Sequence, residues 1–274
     1  MTMARRKPAV TERQALVRQG ARAASWFAAW LGLLLGLGMA LLTQAPARWL
    51  APWIAASGQL QLLDAQGTVW QGSGRLLLTG GPGSRDRALL PERIEWRLGL
   101  NWNAVNLDLK ARCCMSQPLR ISLGWQGGAA RLSLADQQSL WPADILSGLG
   151  TPWNTLKPSG TLQLQTQGLH WRWNAGQAQL QGSAMLDLQN LGSALSTVSP
   201  MGNYRLNLQA AQQVQVTLTT VEGALQLQGQ GQWLAGRWRF QGQASTEPAL
   251  EPALGNVLNI IGRREGARSN ITIG

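Results

Sequence analysis

Few side chains in this 274-residue sequence could do chemistry, and they are scattered: one histidine, His170, and two cysteines, the neighbours Cys113 and Cys114. So few soft ligands nearly exclude a zinc site. Adjacent cysteines need a strained ring to bridge, because disulfide geometry favours Cα atoms further apart than consecutive residues stand. In an oxidising compartment the pair forms a vicinal disulfide, bonds to a partner, or stays as two thiols at a strand end. His170 falls on the polar side of a strand between Leu169 and Trp171, with no acid or base beside it, which suits a surface position better than catalysis. Glu92 and Glu95 lie beside Arg93 and Arg97, the pattern of a solvated, cross-strand ion-paired face rather than of paired general acid and base. Gly72-Ser-Gly74 and Gly229-Gln-Gly231 sit in strand turns, not between a strand and a helix, so they are no dinucleotide loop. Accordingly no catalytic, cofactor-binding or metal-ligating residue is nominated, no cofactor is expected, and the chain reads as a binder or a structural part rather than an enzyme.

What positions these residues begins with residues 25–45, a stretch from Ser25 to Ala45 without one charged side chain. As a helix at about 1.5 Å per residue it spans about 30 Å, the hydrocarbon thickness of a bilayer. Residues 1–24 carry Arg5, Arg6, Lys7, Arg13, Arg18 and Arg22 against Glu12 alone, which by the positive-inside tendency keeps this tail cytoplasmic and sends everything after Arg48 across the membrane. Trp26 and Trp49 stand near the two ends, where interfacial indoles are expected. The alternative, a cleavable signal with Ala45-Pro-Ala47 as its site, fits less well, since such apolar regions usually run about 7–15 residues.

Residues 46–58 read as a linker, and 59–274 as a β-rich domain with halves at 59–135 and 158–274. Period-2 alternation dominates from Gln59 onward and is cleanest in Ile94–Trp102, where every even position is apolar. Further strands are expected at 60–62, 75–79, 105–109, 119–123, 130–134, 160–166, 169–173, 178–181, 184–189, 204–208, 214–218, 223–229 and 236–241, joined as an antiparallel meander. The alternation lapses between Ala135 and Lys157, where 137–147 reads as a short helix joining the halves; 191–196 reads as a helical turn, 254–261 as a last short helix and Arg263, Arg264 and Arg268 as a basic tail. Echoes such as Ile94-Glu-Trp-Arg97 with Leu169-His-Trp-Arg172 hint faintly at duplication. The fold class is therefore mainly β: one N-terminal transmembrane helix, then a curved antiparallel sheet forming a groove, a sandwich or a partly open barrel, with a few short helices.

The net charge is +11, from 24 basic and 13 acidic residues. The 18 basic residues after the apolar stretch are dispersed rather than clustered, so nucleic acid is excluded as a partner and anionic headgroups or an acidic partner fit better. Fourteen Trp stand against two Phe and one Tyr. Most occupy apolar strand positions (Trp96, Trp102, Trp171, Trp173, Trp238) and are expected to fill a core. Some ten strands with one apolar face must nevertheless fold over, pack a second sheet, or hold something greasy. Long Gln-rich strands at a sheet edge also invite strand addition by a partner.

Four phrases carry a family resemblance: Gly67-Thr-Val-Trp-Gln-Gly72, Ile94-Glu-Trp-Arg97, Ser199-Pro-Met-Gly-Asn-Tyr-Arg-Leu206, and Gly223-Ala-Leu-Gln-Leu-Gln-Gly-Gln-Gly231 followed by Trp233. In that order, behind a basic N-terminus and one apolar helix, the chain resembles type II secretion system protein N, also called general secretion pathway protein N. The resemblance implies a single-pass inner-membrane protein with its bulk in the periplasm, an accessory, non-catalytic part of the machinery that exports folded proteins across the outer membrane. The partners it implies are other secretion-system components of the inner membrane or the secretin. A second resemblance, to AsmA-like proteins and lipopolysaccharide-transport bridges, implies instead an apolar face that takes membrane lipids.

Overall fold

The computed structural model describes residues 12–174, 177–234 and 236–274, with the side chains of 12–25, 27, 28 and 126 left undescribed. The chain divides into two compact units, Met1–Ala45 and Pro46–Gly274. In the first, α1 runs Glu12–Thr43. Among the described residues no helix is long and apolar enough to cross a membrane. The described side chains of α1 are continuous only over 29–43, where all but Gly38 are exposed. Residues 1–11 of the expected cytoplasmic tail lie outside the described residues.

The second unit is one large, open antiparallel sheet, so the sandwich and barrel alternatives are set aside. Its strands are β1 (Leu60–Gly67), β2 (Gln71–Thr79), β3 (Arg87–Leu89), β4 (Ile94–Asn101), β5 (Ala104–Ala111), β6 (Leu119–Gln126), β7 (Ala129–Leu134) and β8 (Gln137–Pro142). They continue as β9 (Pro158–Asn174), β10 (Gln177–Ser193), β11 (Gly202–Ala210), β12 (Val214–Gly223), β13 (Leu225–Leu234), β14 (Arg237–Thr246), β15 (Arg263–Glu265) and β16 (Arg268–Ile273). The order across the sheet follows the chain, with β3 beside β2, β8 beside β9, and β16 inserted between β14 and β15. Short helices are α2 (Leu50–Ala55), α3 (Trp153–Leu156) and α4 (Glu251–Ile261), with 3-10 turns at Ala47–Trp49, Ala143–Leu149 and Pro248–Leu250.

The alternation segments all form strands, and α4 falls where the last helix is expected. Elsewhere the structure differs from the sequence reading, and each difference has a local cause. Gln137–Pro142 is not helical but pairs with β9 from Gln137↔Thr166 to Pro142↔Thr161; only 143–149 winds into a 3-10 turn. β7 pairs with β9 directly, Leu132 opposite Trp171, so hydrogen bonding runs unbroken across the join. The segments 160–166 and 169–173 are one strand with a register shift at Gly168, where φ is +59°. That extra residue moves the inward side chains from even to odd numbers, from Leu162 and Leu164 to Leu169 and Trp171, as a bulge must. A second bulge places Asn190 at φ +52° and puts 191–193 in β10 rather than in a helical turn.

The basic tail is likewise a hairpin, and it clamps α4. Arg264 of β15 donates to Glu251 Oε1 at 2.6 Å, and its guanidinium lies over Gly255, where an added Cβ would stand 3.0 Å from Nη1. Residues 46–58 hold the first 3-10 turn and α2, whose Leu50, Ala51 and Ile54 pack against the buried Leu62 and Trp96.

The principal core lies at one end of the sheet. Leu162, Leu191, Tyr204, Leu225 and Ala244 face Leu254, Val257 and Leu258 of α4, which are 0–2% exposed. Leu258→Ala is expected to lower stability by about 2–5 kcal/mol in urea unfolding, and Ile260→Ala, one turn face away and solvent-exposed, by under about 0.5 kcal/mol.

Candidate functional site

The face that carries these core residues continues beyond them without a lid. Inward side chains of β9 to β14 and β16 line a trough of about 510 Å³, walled by Leu186, Leu206, Leu218, Leu227, Trp238 and Ile271 among others. One cavity lined from seven strands on a single face means that the sheet curls around it. Register explains the apolar wall: Leu186 stands opposite Leu164 and Leu206, and Leu206 opposite Leu218. The volume lies within the range of small-molecule pockets, about 300–1,000 Å³, but few polar groups converge there to fix a ligand's orientation.

Glycines shape this wall. Gly229 and Gly231 of β13 lie beneath the rings of Phe240 and Trp238; a Cβ added at either would fall 2.5 Å from ring carbon. The aromatic rings replace the missing side chains and keep the surface smooth.

The four phrases of the resemblance meet in two pairs. Trp96 lies against Gly72, where an added Cβ would come within 2.6 Å of its Cζ2, and its indole N–H donates to Thr68 O and Val69 O at 3.2 Å. Gly67–Gly72 and Ile94–Arg97 thus form one clamp. In the second, the hydroxyl of the buried Tyr204 donates to Leu225 O at 2.9 Å, and the backbone of Gly223 packs on Gly202 too closely for any side chain. Burial pushes the Tyr204 phenol well above its ordinary pKa, so it stays a neutral donor.

The reactive residues singled out in the sequence have structural work. His170 Nδ1 donates to Gly168 O at 2.9 Å while Gly168 N donates to Asp136 Oδ1 at 2.6 Å, so the imidazole and the carboxylate together hold the bulge. Glu95 pairs with Arg112 at 2.6 Å and Asp108 with Arg120 at 2.8 Å; Arg93 donates to Asp64 O at 2.6 Å. This is the ion-paired face expected, though Arg112 rather than Arg93 or Arg97 pairs with Glu95. Cys113 and Cys114 form a vicinal disulfide between β5 and β6. Among the described residues no group of three or more His, Cys, Asp or Glu is placed to hold a metal ion.

Tryptophan departs most from expectation. Trp96 is buried and Trp171 and Trp238 half-buried, but Trp173 is exposed and Trp102 fully so. Trp102 sits in the β4–β5 turn, where alternation continues in sequence after the sheet that would cover it has ended.

The family model described as type II secretion system (T2SS), protein N, matches residues 58–271. No curated protein and no solved structure matches the chain.

If the second clamp matters as its burial suggests, Tyr204→Phe leaves Leu225 O without its donor and lowers stability by about 1–3 kcal/mol, read as a lower urea midpoint with an unchanged slope.

Proposed function

The chain belongs to the type II secretion system protein N family, and from that premise we propose that it is an accessory, non-catalytic component of the type II secretion machinery, anchored once in the inner membrane with its sheet domain in the periplasm. The observation that carries this reading is the extent of the match, which covers the whole sheet from before β1 into β16. Involvement in type II secretion follows from family membership; the anchor, the compartment and the partners are the proposal.

Three features support it. Residues 29–43 of α1 present apolar side chains to solvent on every side of the helix, a surface that water alone does not tolerate and a bilayer does. The charge-free stretch 25–45 is by its sequence length sufficient for a span, of which only 29–43 have continuously described side chains. The vicinal disulfide suits an oxidising compartment. Partners are then the other secretion components of the inner membrane or the secretin, reached through protein contacts. The open edge of β16 at Ile271–Ile273, beyond its pairing with β15, offers a place for strand addition.

The trough favours a second reading, in which the apolar face takes a membrane lipid's acyl chain, as an AsmA-like or lipopolysaccharide-transport-like groove would. Native mass spectrometry of the purified full chain separates the two. A protein free of lipid that photo-cross-links to inner-membrane secretion components or the secretin supports the first; stoichiometric lipid retained through purification supports the second.

In a type II secretion-competent Gram-negative cell lacking the gene for this chain, export of folded substrates is expected to fall and to return on complementation. An alkaline phosphatase fused after Gly274 should be active and a cytosolic fluorescent reporter dark. The reverse pattern overturns the topology, and undiminished export overturns the role.

A further inference from the structure

In an antiparallel meander alternate connections lie at opposite ends, and here six hairpin turns share one of them. The turns 67–71, 101–104, 126–129, 174–177, 210–214 and 234–237 share an end of the sheet, whereas α3, α4 and the long connections occupy the other. This hairpin rim has an unusual surface. Trp102 is fully exposed, Trp125 is 65% and Trp233 53% exposed, and Trp173 lies beside them, across Ala130 from Trp125. Within two residues of these six turns there are four arginines, Arg131, Arg172, Arg237 and Arg239, and no carboxylate.

The arginines are exposed, and among the described residues no ion pair engages any of them. Arg131 and Arg172 even face each other directly across β7 and β9, a like-charge pairing that costs stability unless an anion lies between or before them. The acidic residues of the domain stand elsewhere, with Asp86, Glu92, Glu222, Glu247, Glu251 and Glu265 in or beside the opposite connections.

We propose that this rim docks on an anionic lipid surface, the tryptophans at headgroup depth and the arginines on phosphates. Exposed indoles flanked by unpaired cations and free of carboxylates match the membrane–water interface, where the indole ring is amphipathic and each basic residue favours contact roughly five-fold. The apolar face, buried by α4 at the far end, is uncovered towards this rim at Leu100 and Leu123. The inference goes beyond the secretion reading and does not depend on it.

The test is hydroxyl-radical footprinting of the full chain with phosphatidylcholine vesicles, with and without phosphatidylglycerol, alongside flotation. Flotation reports on α1; oxidation at Trp102, Trp125 and Trp233, against Met115 at the opposite end, reports on the rim. Several-fold protection of the three tryptophans that requires phosphatidylglycerol, weakens in high salt, leaves Met115 unchanged, and is lost in R131E/R172E/R237E/R239E with unchanged circular dichroism is the expected result. The comparison of lipids on the unaltered chain stands even if that variant fails to fold. Equal oxidation on both vesicles overturns the proposal. So does protection that follows protein density at constant lipid, which assigns the rim to a second copy, or protection that arises only when another protein is added.

Discussion

A sheet whose strands alternate apolar and polar has one greasy face, and the widest constraint on this domain is that the face is larger than the helices available to cover it. The strands from β1 to β16 share that face. One buried cluster forms under α4 and the 143–149 turn, a smaller one under α2. At about 25 cal/mol per Å² of apolar surface withdrawn from water, a sheet curls before it leaves such a face flat. Curling narrows the uncovered region to a trough and a rim, and the features of functional interest lie in what remains uncovered.

Much of the architecture is legible in the chain because one face is wet and the other dry, so that period 2 survives in almost every strand. It fails wherever the backbone inserts a residue. Gly168 and Asn190 each add one, the alternation slips, and single 17-residue strands look like two short ones or like a strand and a turn. β8 is illegible for another reason: Gln137–Pro142 pairs along its length only with β9, its other side carrying a single bridge from Ser139 to Met115, so its pattern is short and mixed. The trough could be expected in kind but not located, because closure depends on curvature summed over many strands. The rim was invisible, since it requires knowing that distant turns share an end.

The phrases that carry the family resemblance have structural work. Gly67–Gly72 receives the Trp96 ring, and Gly223 lets β11 and β12 approach beside Tyr204; the Trp96 indole donates to two carbonyls of the β1–β2 turn and the Tyr204 hydroxyl to one carbonyl of β13. His170 and Asp136, which in another fold would suggest proton transfer, hold a bulge in place. Sequence signals in these phrases report where strands must bend or touch.

The near-identity of chain order and strand order bears on how the domain is made. From β4 to β14 almost every new strand pairs with the one just completed, across turns that are short at one end of the sheet and longer at the other, so little loop-closure entropy stands in the way of most additions. The domain can grow by accretion as the polypeptide emerges, each hairpin templated by the last. The final residues break the sequence most: β16 completes the edge of β14, and Arg264 draws α4 down over strands laid much earlier. Until those last residues arrive the nascent sheet has an unsealed face, a window in which a holding chaperone would have most to grip.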